Sequence, residues 1–232
     1  MIRKRIRAQY SARAGKNKLN KWLNRLYQTP CFIIGNSPSL DDFPICLLNG
    51  LFTIGVNRAF KKIHPTILLW QDIELFYSCR DELANLKKTL LYARDIADPF
   101  NLAYHFKLLN TNYKLTNNAS ILAGRGSSMP LAYQLAHILG CNPIIFLGYD
   151  CKYRDGKTDF WGVNRDHRAH TLTSCSRGMN WIINFKESHN LIFCSPSETA
   201  INIMSLEKAL KICKITKESY KNNQYYINKL LA

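Results

Sequence analysis

Cys31-Phe-Ile-Ile-Gly-Asn-Ser-Pro-Ser-Leu40 constrains this chain more than any other passage, because four apolar or small residues break abruptly into a polar turn. An unbroken apolar run of this length suits a strand buried on both faces, the habit of parallel strands covered by helices. Similar runs follow at Leu51-Phe-Thr-Ile-Gly55, Thr66-Ile-Leu-Leu-Trp70, Thr89-Leu-Leu-Tyr-Ala93, Pro143-Ile-Ile-Phe-Leu-Gly148 and Leu191-Ile-Phe-Cys194. Helical patterning intervenes over 72–86, 126–140 and around 178–188. In the second of these, Ser127 and Ser128 open the helix, Pro130 is tolerated in its first turn and Gly140 stops it. The alternation predicts an α/β, Rossmann-like fold with a mostly parallel sheet and helices on both faces. Residues 95–123 are less periodic and are expected to form an irregular insertion.

In open α/β sheets, ligands sit outside the carboxyl ends of the strands, which makes the Gly35–Leu40 turn an expected nucleotide contact. It is neither the three-glycine dinucleotide fingerprint nor a P-loop, which ends in Gly-Lys-Ser/Thr. A polar stretch from Lys152 to Ser176 is too long for a plain connection and is expected to act as a lid, at about 152–176.

Charge narrows the partners. The chain has 232 residues, with 32 Lys+Arg against 16 Asp+Glu and a formal net charge of +16. Residues 1–28 contain Arg3, Lys4, Arg5, Arg7, Arg13, Lys16, Lys18, Lys21 and Arg25 and no carboxylate. Leu19, Trp22, Leu23 and Leu26 then form a helical apolar stripe, so the arm is expected to end in an amphipathic helix. At the other end Lys208, Lys211, Lys214, Lys217 and Lys221 fall at spacings that line one side of a helix. Such a balance favours polyanionic partners: nucleic acid, anionic headgroups or phosphorylated glycans. The eight cysteines are scattered without a Cys-x-x-Cys pair, which suits buried thiols in a reducing compartment. With no apolar stretch of membrane-spanning length and no secretory signal pattern, a cytoplasmic protein is expected, in host cytoplasm if the source is viral.

Three stations stand in order: Gly35-Asn36-Ser37-Pro38-Ser39-Leu40, then Gly55-Val56-Asn57-Arg58, then Ser127-Ser128 followed by a helix, a strand and Gly148-Tyr149-Asp150. Over residues 31–200 this order resembles the bacterial sialyltransferases of glycosyltransferase family 42 and their viral relatives. It also resembles the archaeal hydroxymethylpterin pyrophosphokinase-like proteins, whose opening turn has Gly where this chain has Ser37. The resemblance implies that Asn36 and Asn57 are nucleotide-binding asparagines and that Ser128, with Ser127 beside it, receives the donor's nucleotide. Gly35, Ser37, Pro38, Ser39 and Asp150 join the implied donor site. A third family asparagine is missing, its place falling near Gln71-Asp72. Tyr153 is the nearest match to a phosphate-binding tyrosine, and Phe160 or Trp161 occupies the second such place. His170, in His170-Thr171, matches the family's catalytic histidine, and His167 an earlier one.

Sugar transfer from a nucleotide donor needs a base for the acceptor hydroxyl and a site for the departing phosphate. Neutral imidazole suits the first task, and His170 is the expected base, with His167 its alternative. Backbone N–H groups at the Ser39 turn and the Ser128 helix start are natural anion sites, and Arg165 and Arg168 add charge on the lid. No Asp-x-Asp pair occurs, so metal independence is expected, and no cofactor beyond a CMP-sugar or UDP-sugar co-substrate.

The domain plan is therefore a basic arm and helix over 1–28, a nucleotide-sugar-binding α/β catalytic domain over 29–204, and a basic helix over 205–232. The leading function is a glycosyltransferase whose preferred acceptor is DNA carrying a hydroxymethylated pyrimidine, held through the basic termini, as in viral DNA hypermodification. The alternatives are a sialyltransferase-like enzyme acting on a surface glycan, a pterin-type diphosphotransferase, and a non-catalytic nucleic-acid-binding module.

Overall fold

Backbone N–H and C=O groups buried under apolar side chains must pair, and short buried runs can pair only side by side. In the computed structural model, which describes residues 18–109, 115–124, 127–161, 169–195 and 200–231, they do so in one sheet. Its strands are β1 (Cys31–Ile34), β2 (Thr53–Val56), β3 (Ile67–Trp70), β4 (Leu90–Arg94), β5 (Tyr104–Leu109), β6 (Ile121–Ala123), β7 (Ile144–Leu147) and β8 (Leu191–Phe193). They lie in the order β6-β5-β4-β3-β2-β1-β7-β8, every pairing parallel. The α-helices among the described residues are α1 (Ile73–Ala84), α2 (Ser128–Leu139), α3 (Ala169–Ile183), α4 (Leu206–Ile212) and α5 (Lys217–Leu231). This is the α/β, Rossmann-like architecture expected.

The pleat sends alternate residues to opposite faces. Cys31 and Ile33 enter the core beneath α2 and α3, while Phe32 and Ile34 enter the opposite core with Leu40, Leu48 and Leu206 of α4. On that same side Leu68 and Trp70 pack against Phe76 and Leu83 of α1. Each such side chain contributes about 1.5–3 kcal/mol through the apolar area it removes from water. In α2 every residue but His137 is buried, which fits a helix covered on all sides. The sheet lies on one side of it, and α3 and the segment after Lys18 lie on others.

Four expectations change. Residues 95–123 are not an irregular insertion: β5 and β6 lie within them and extend the sheet. Their burial is mixed, and no clean apolar run marked them. The helix expected around 178–188 is α3, and it starts at Ala169, inside the stretch expected as lid.

The tail is two helices, since Lys214 takes φ +51° between α4 and α5, so its lysines do not share one helix face. At the amino end, Lys18–Trp22 forms only a short 3-10 turn, and Asn24 and Gln28 adopt positive φ. There Asn24, Leu26 and Gln28 donate backbone N–H groups to the carbonyls of Ile138, Leu139 and Gly140, satisfying the open end of α2. No helix among the described residues is long and apolar enough to cross a membrane.

Candidate functional site

Strand order reverses between β1 and β7, the place where such sheets leave a crevice. The carboxyl ends of these strands approach so closely that a Cβ on Gly35 would stand 2.1 Å from the carbonyl oxygen of Gly148. Gly35 donates its N–H to Leu147 O at 2.8 Å, and Ser37 donates to Gly148 O at 3.0 Å. Gly148 takes φ +64°, and a side chain there would run into Leu40. The turn is thereby bent away from the sheet, and a cavity of about 430 Å³ opens above β1, β2, β3 and β7. Its size lies in the range of small-molecule sites.

Asn36 ties the first turn to the second. Its Nδ2 donates to Val56 O and its Oδ1 accepts from Arg58 N, both at 3.0 Å. Between those partners Asn57 turns the chain at φ +50°, a conformation Asn tolerates better than most residues. Ser128, at the start of α2, donates its Oγ proton to Asn57 Oδ1 at 3.4 Å. Ser127 occupies the N-cap of α2 but does not cap it. Its hydroxyl instead meets Tyr149 Oη at 3.1 Å, and because Tyr149 donates onward to Cys175 O at 2.8 Å, Ser127 must be the donor. Burial holds the Tyr149 phenol well above its ordinary pKa, so it stays protonated in that relay. Gly35, Asn36, Ser37, Asn57, Ser127 and Ser128 all line the one cavity, although they come from three separate parts of the chain.

The other predicted residues are placed differently. Pro38 and Ser39 are buried behind the turn and do not line the cavity. Asp150 points to that same rear side: its carboxylate accepts from Ser39 N at 3.1 Å and Ser39 Oγ at 2.5 Å. Burial raises the Asp150 carboxyl, and the two Ser39 hydrogen bonds oppose that rise. Asp150 is thus a strap on the turn and leaves the cavity wall to its neighbours. Tyr153 is exposed and is not among the lining residues. His170 lies in the first turn of α3, a helix whose Leu172, Ser174 and Cys175 line the cavity. His167, Arg165 and Arg168 lie outside the described residues.

Several lining residues received no assigned role from the sequence. Gln71, Asp72 and Glu74 form the wall where β3 runs into α1. Asp72 holds the N-cap position of α1 without a capping bond. Desolvation and the neighbouring Glu74 push its carboxyl up while Arg94 opposes them; exposed at the rim, it is screened by water.

The segment Thr158–Trp161 is fastened to the turn by Phe160 N donating to Asn36 O at 2.8 Å. Trp161 faces the cavity, and Phe160 packs into the second core. Arg58 also lines the cavity, its guanidinium lying 5.3 Å from the centre of the Trp161 ring. Arg58 follows Asn57 directly, which was the one available signal for it. Asp41 and Asp42, adjacent in the chain, take separate partners, Asp41 pairing with Lys62 and Asp42 with Arg154. No protein-family model and no curated protein matches the chain.

Proposed function

We propose that the protein transfers a sugar from a nucleotide-sugar donor to an acceptor hydroxyl, with the nucleotide seated in the cavity above β1, β2, β3 and β7. One observation carries this reading: the three polar stations around Gly35-Asn36, Asn57 and Ser127-Ser128 converge on one cavity at the reversal of strand order. The first turn of α2 adds an anion-attracting end, since Ser127 turns its hydroxyl to Tyr149 and no acidic residue occupies that turn.

In the reaction, His170 accepts the proton of the acceptor hydroxyl. The acceptor oxygen forms a bond to the anomeric carbon as the bond from that carbon to the phosphate oxygen breaks. The electron pair of the broken bond leaves on the nucleotide. DNA bearing a hydroxymethylated pyrimidine is the preferred acceptor: Lys208, Lys211, Lys214, Lys221 and Lys229 stand exposed on the carboxyl-terminal segment, where they can hold phosphates without reading sequence.

The test is incubation with CMP- and UDP-sugars and either hydroxymethylated DNA or oligosaccharide acceptors, followed by mass spectrometry. A mass gain on the DNA equal to the sugar of the donor supplied, fading as salt is raised, is the expected result. A gain on the oligosaccharide alone would move the acceptor to glycans, and no transfer from any donor would remove the enzyme reading.

A further inference from the structure

Arg58 places a guanidinium in a cavity wall that also carries Asp72, Glu74 and Asp159, and among the described residues it forms no ion pair with any carboxylate. Its guanidinium is half-buried, donating from one terminal nitrogen to Ser78 Oγ at 2.9 Å and from the other to Cys79 Sγ at 3.3 Å. One face of it is turned to Trp161. These contacts are neutral, and the ion pairs found among the described residues join other groups.

A guanidinium offers five N–H donors, of which these two bonds use two. Backbone and guanidinium are both held. Arg58 N is held by Asn36 Oδ1, and α1 departs from helical geometry at Cys79 (φ −137°, ψ 17°), where the guanidinium meets it. Ser78 accepts from Arg58 and passes its own proton back to Glu74 O at 2.7 Å, a bond that bends helices. A long, rotamer-rich side chain held by these bonds has given up part of its conformational freedom before any ligand arrives, and Arg58 lines the space a ligand would fill.

We infer that Arg58 anchors the phosphate of a bound nucleotide and so determines that the cavity prefers nucleotides to nucleosides. This rests on, and deepens, the nucleotide reading of the cavity. Guanidinium matches phosphate geometry through paired N–H donors, which a point charge on a lysine cannot reproduce. A sugar carboxylate would present the same oxyanion, and the test separates the two sources.

Binding of CMP, UMP, cytidine, uridine, inorganic pyrophosphate and glucuronic acid is measured by calorimetry on the wild type and on Arg58→Gln, with thermal melting of each protein. CMP, UMP and pyrophosphate are expected to bind Arg58→Gln about 10- to 100-fold more weakly, while cytidine and uridine bind as before. Nucleotide affinity unchanged by the substitution overturns the inference, as does an equal loss for nucleosides at unchanged melting temperature. So does a wild type that binds glucuronic acid in preference to pyrophosphate, or that binds neither CMP nor pyrophosphate. If Arg58→Gln fails to fold, Arg58→Lys is read instead: a loss of about 3- to 10-fold confined to phosphate-bearing probes supports the inference, and no loss overturns it. A wild type that binds pyrophosphate through Arg58 yet transfers no sugar removes the glycosyltransferase reading and leaves this one standing. Sugar transfer with nucleotide affinity indifferent to Arg58 does the reverse.

Discussion

Replacing Gly35 with alanine tests the claim that the cavity exists because β1 and β7 touch at their carboxyl ends. The new Cβ would lie 2.1 Å from Gly148 O and 3.0 Å from Gly148 C. Real Cβ atoms essentially never approach closer than 3.0 Å, so the two strand ends must part by about 0.9 Å. The atom in the way is a backbone carbonyl held in the β1–β7 ladder, so no side chain can rotate to make room. Overpacking of this kind costs about 1–3 kcal/mol, and the bonds Gly35 N to Leu147 O and Ser37 N to Gly148 O stretch with it, each worth about 1 kcal/mol.

The combined loss of about 3–5 kcal/mol corresponds to a fall in Tm of roughly 6–20 °C for a chain of this size. Circular dichroism melting of Gly35→Ala against wild type reads it directly. Gly55→Ala is the control, since its Cβ would meet only side-chain atoms of Pro65 and Ala59, at 3.0–3.2 Å. A Gly35→Ala melting point within about 2 °C of wild type, or a larger loss in the control, would refute the close approach.

Three further outcomes are expected. Burial holds His189 down to about 4, and it hydrogen-bonds Tyr133 and His137 at 2.9 Å each. The unfolded chain therefore takes up a proton near pH 6.5 that the folded one refuses until about 4, so stability is full above 6.5 and falls as pH drops through that window. Because the ring is only half-buried, about 1–2 kcal/mol is lost, and urea midpoints for His189→Gln should vary less between pH 7 and 4. Ser39→Ala removes the hydroxyl bonded to the buried Asp150 carboxylate and should cost about 1–3 kcal/mol at pH 7. The loss should shrink toward pH 4, where protonation of the already raised carboxyl relieves it; an equal cost at both pH values would contradict the strap. His170→Ala should lower sugar transfer about 10²- to 10⁴-fold while nucleotide affinity stays as it was, and unchanged transfer would remove His170 as the base.

Strand identity was legible wherever a strand is buried on both faces. Phe32, Ile54, Leu68 and Ile145 have no solvent side, so their neighbours in sequence had to be apolar too. At β5 the pattern fails, because Tyr104, Lys107 and Leu109 are exposed while His105 and Phe106 are buried. The early turns of α3 were masked in the same way: Leu172, Cys175, Met179 and Ile182 recur at helical spacing, yet Thr171, Thr173, Ser174 and Ser176 made the stretch read as loop. The meeting of Asn36 and Asn57 was legible because each stands just past the end of an apolar run, and parallel strands bring such ends to one edge; Ser128, which opens α2, was singled out by the family resemblance.

Local order, then, belongs to the sequence alone: where the strands of the central sheet lie, where α2 begins and stops, and that polar turns crown the sheet. These follow from neighbours a few residues apart, through burial pattern, Pro130 and the left-handed Gly140. Which polar group faces the cavity and which faces away was decided only by tertiary structure. Ser39 and Asp150, 111 residues apart, satisfy each other behind the turn, whereas Arg58 finds neutral partners on α1 and keeps its charge in the cavity. The difference arises because a buried polar atom must find its hydrogen bond across whatever distance folding closes, and spacing along the chain does not encode that distance.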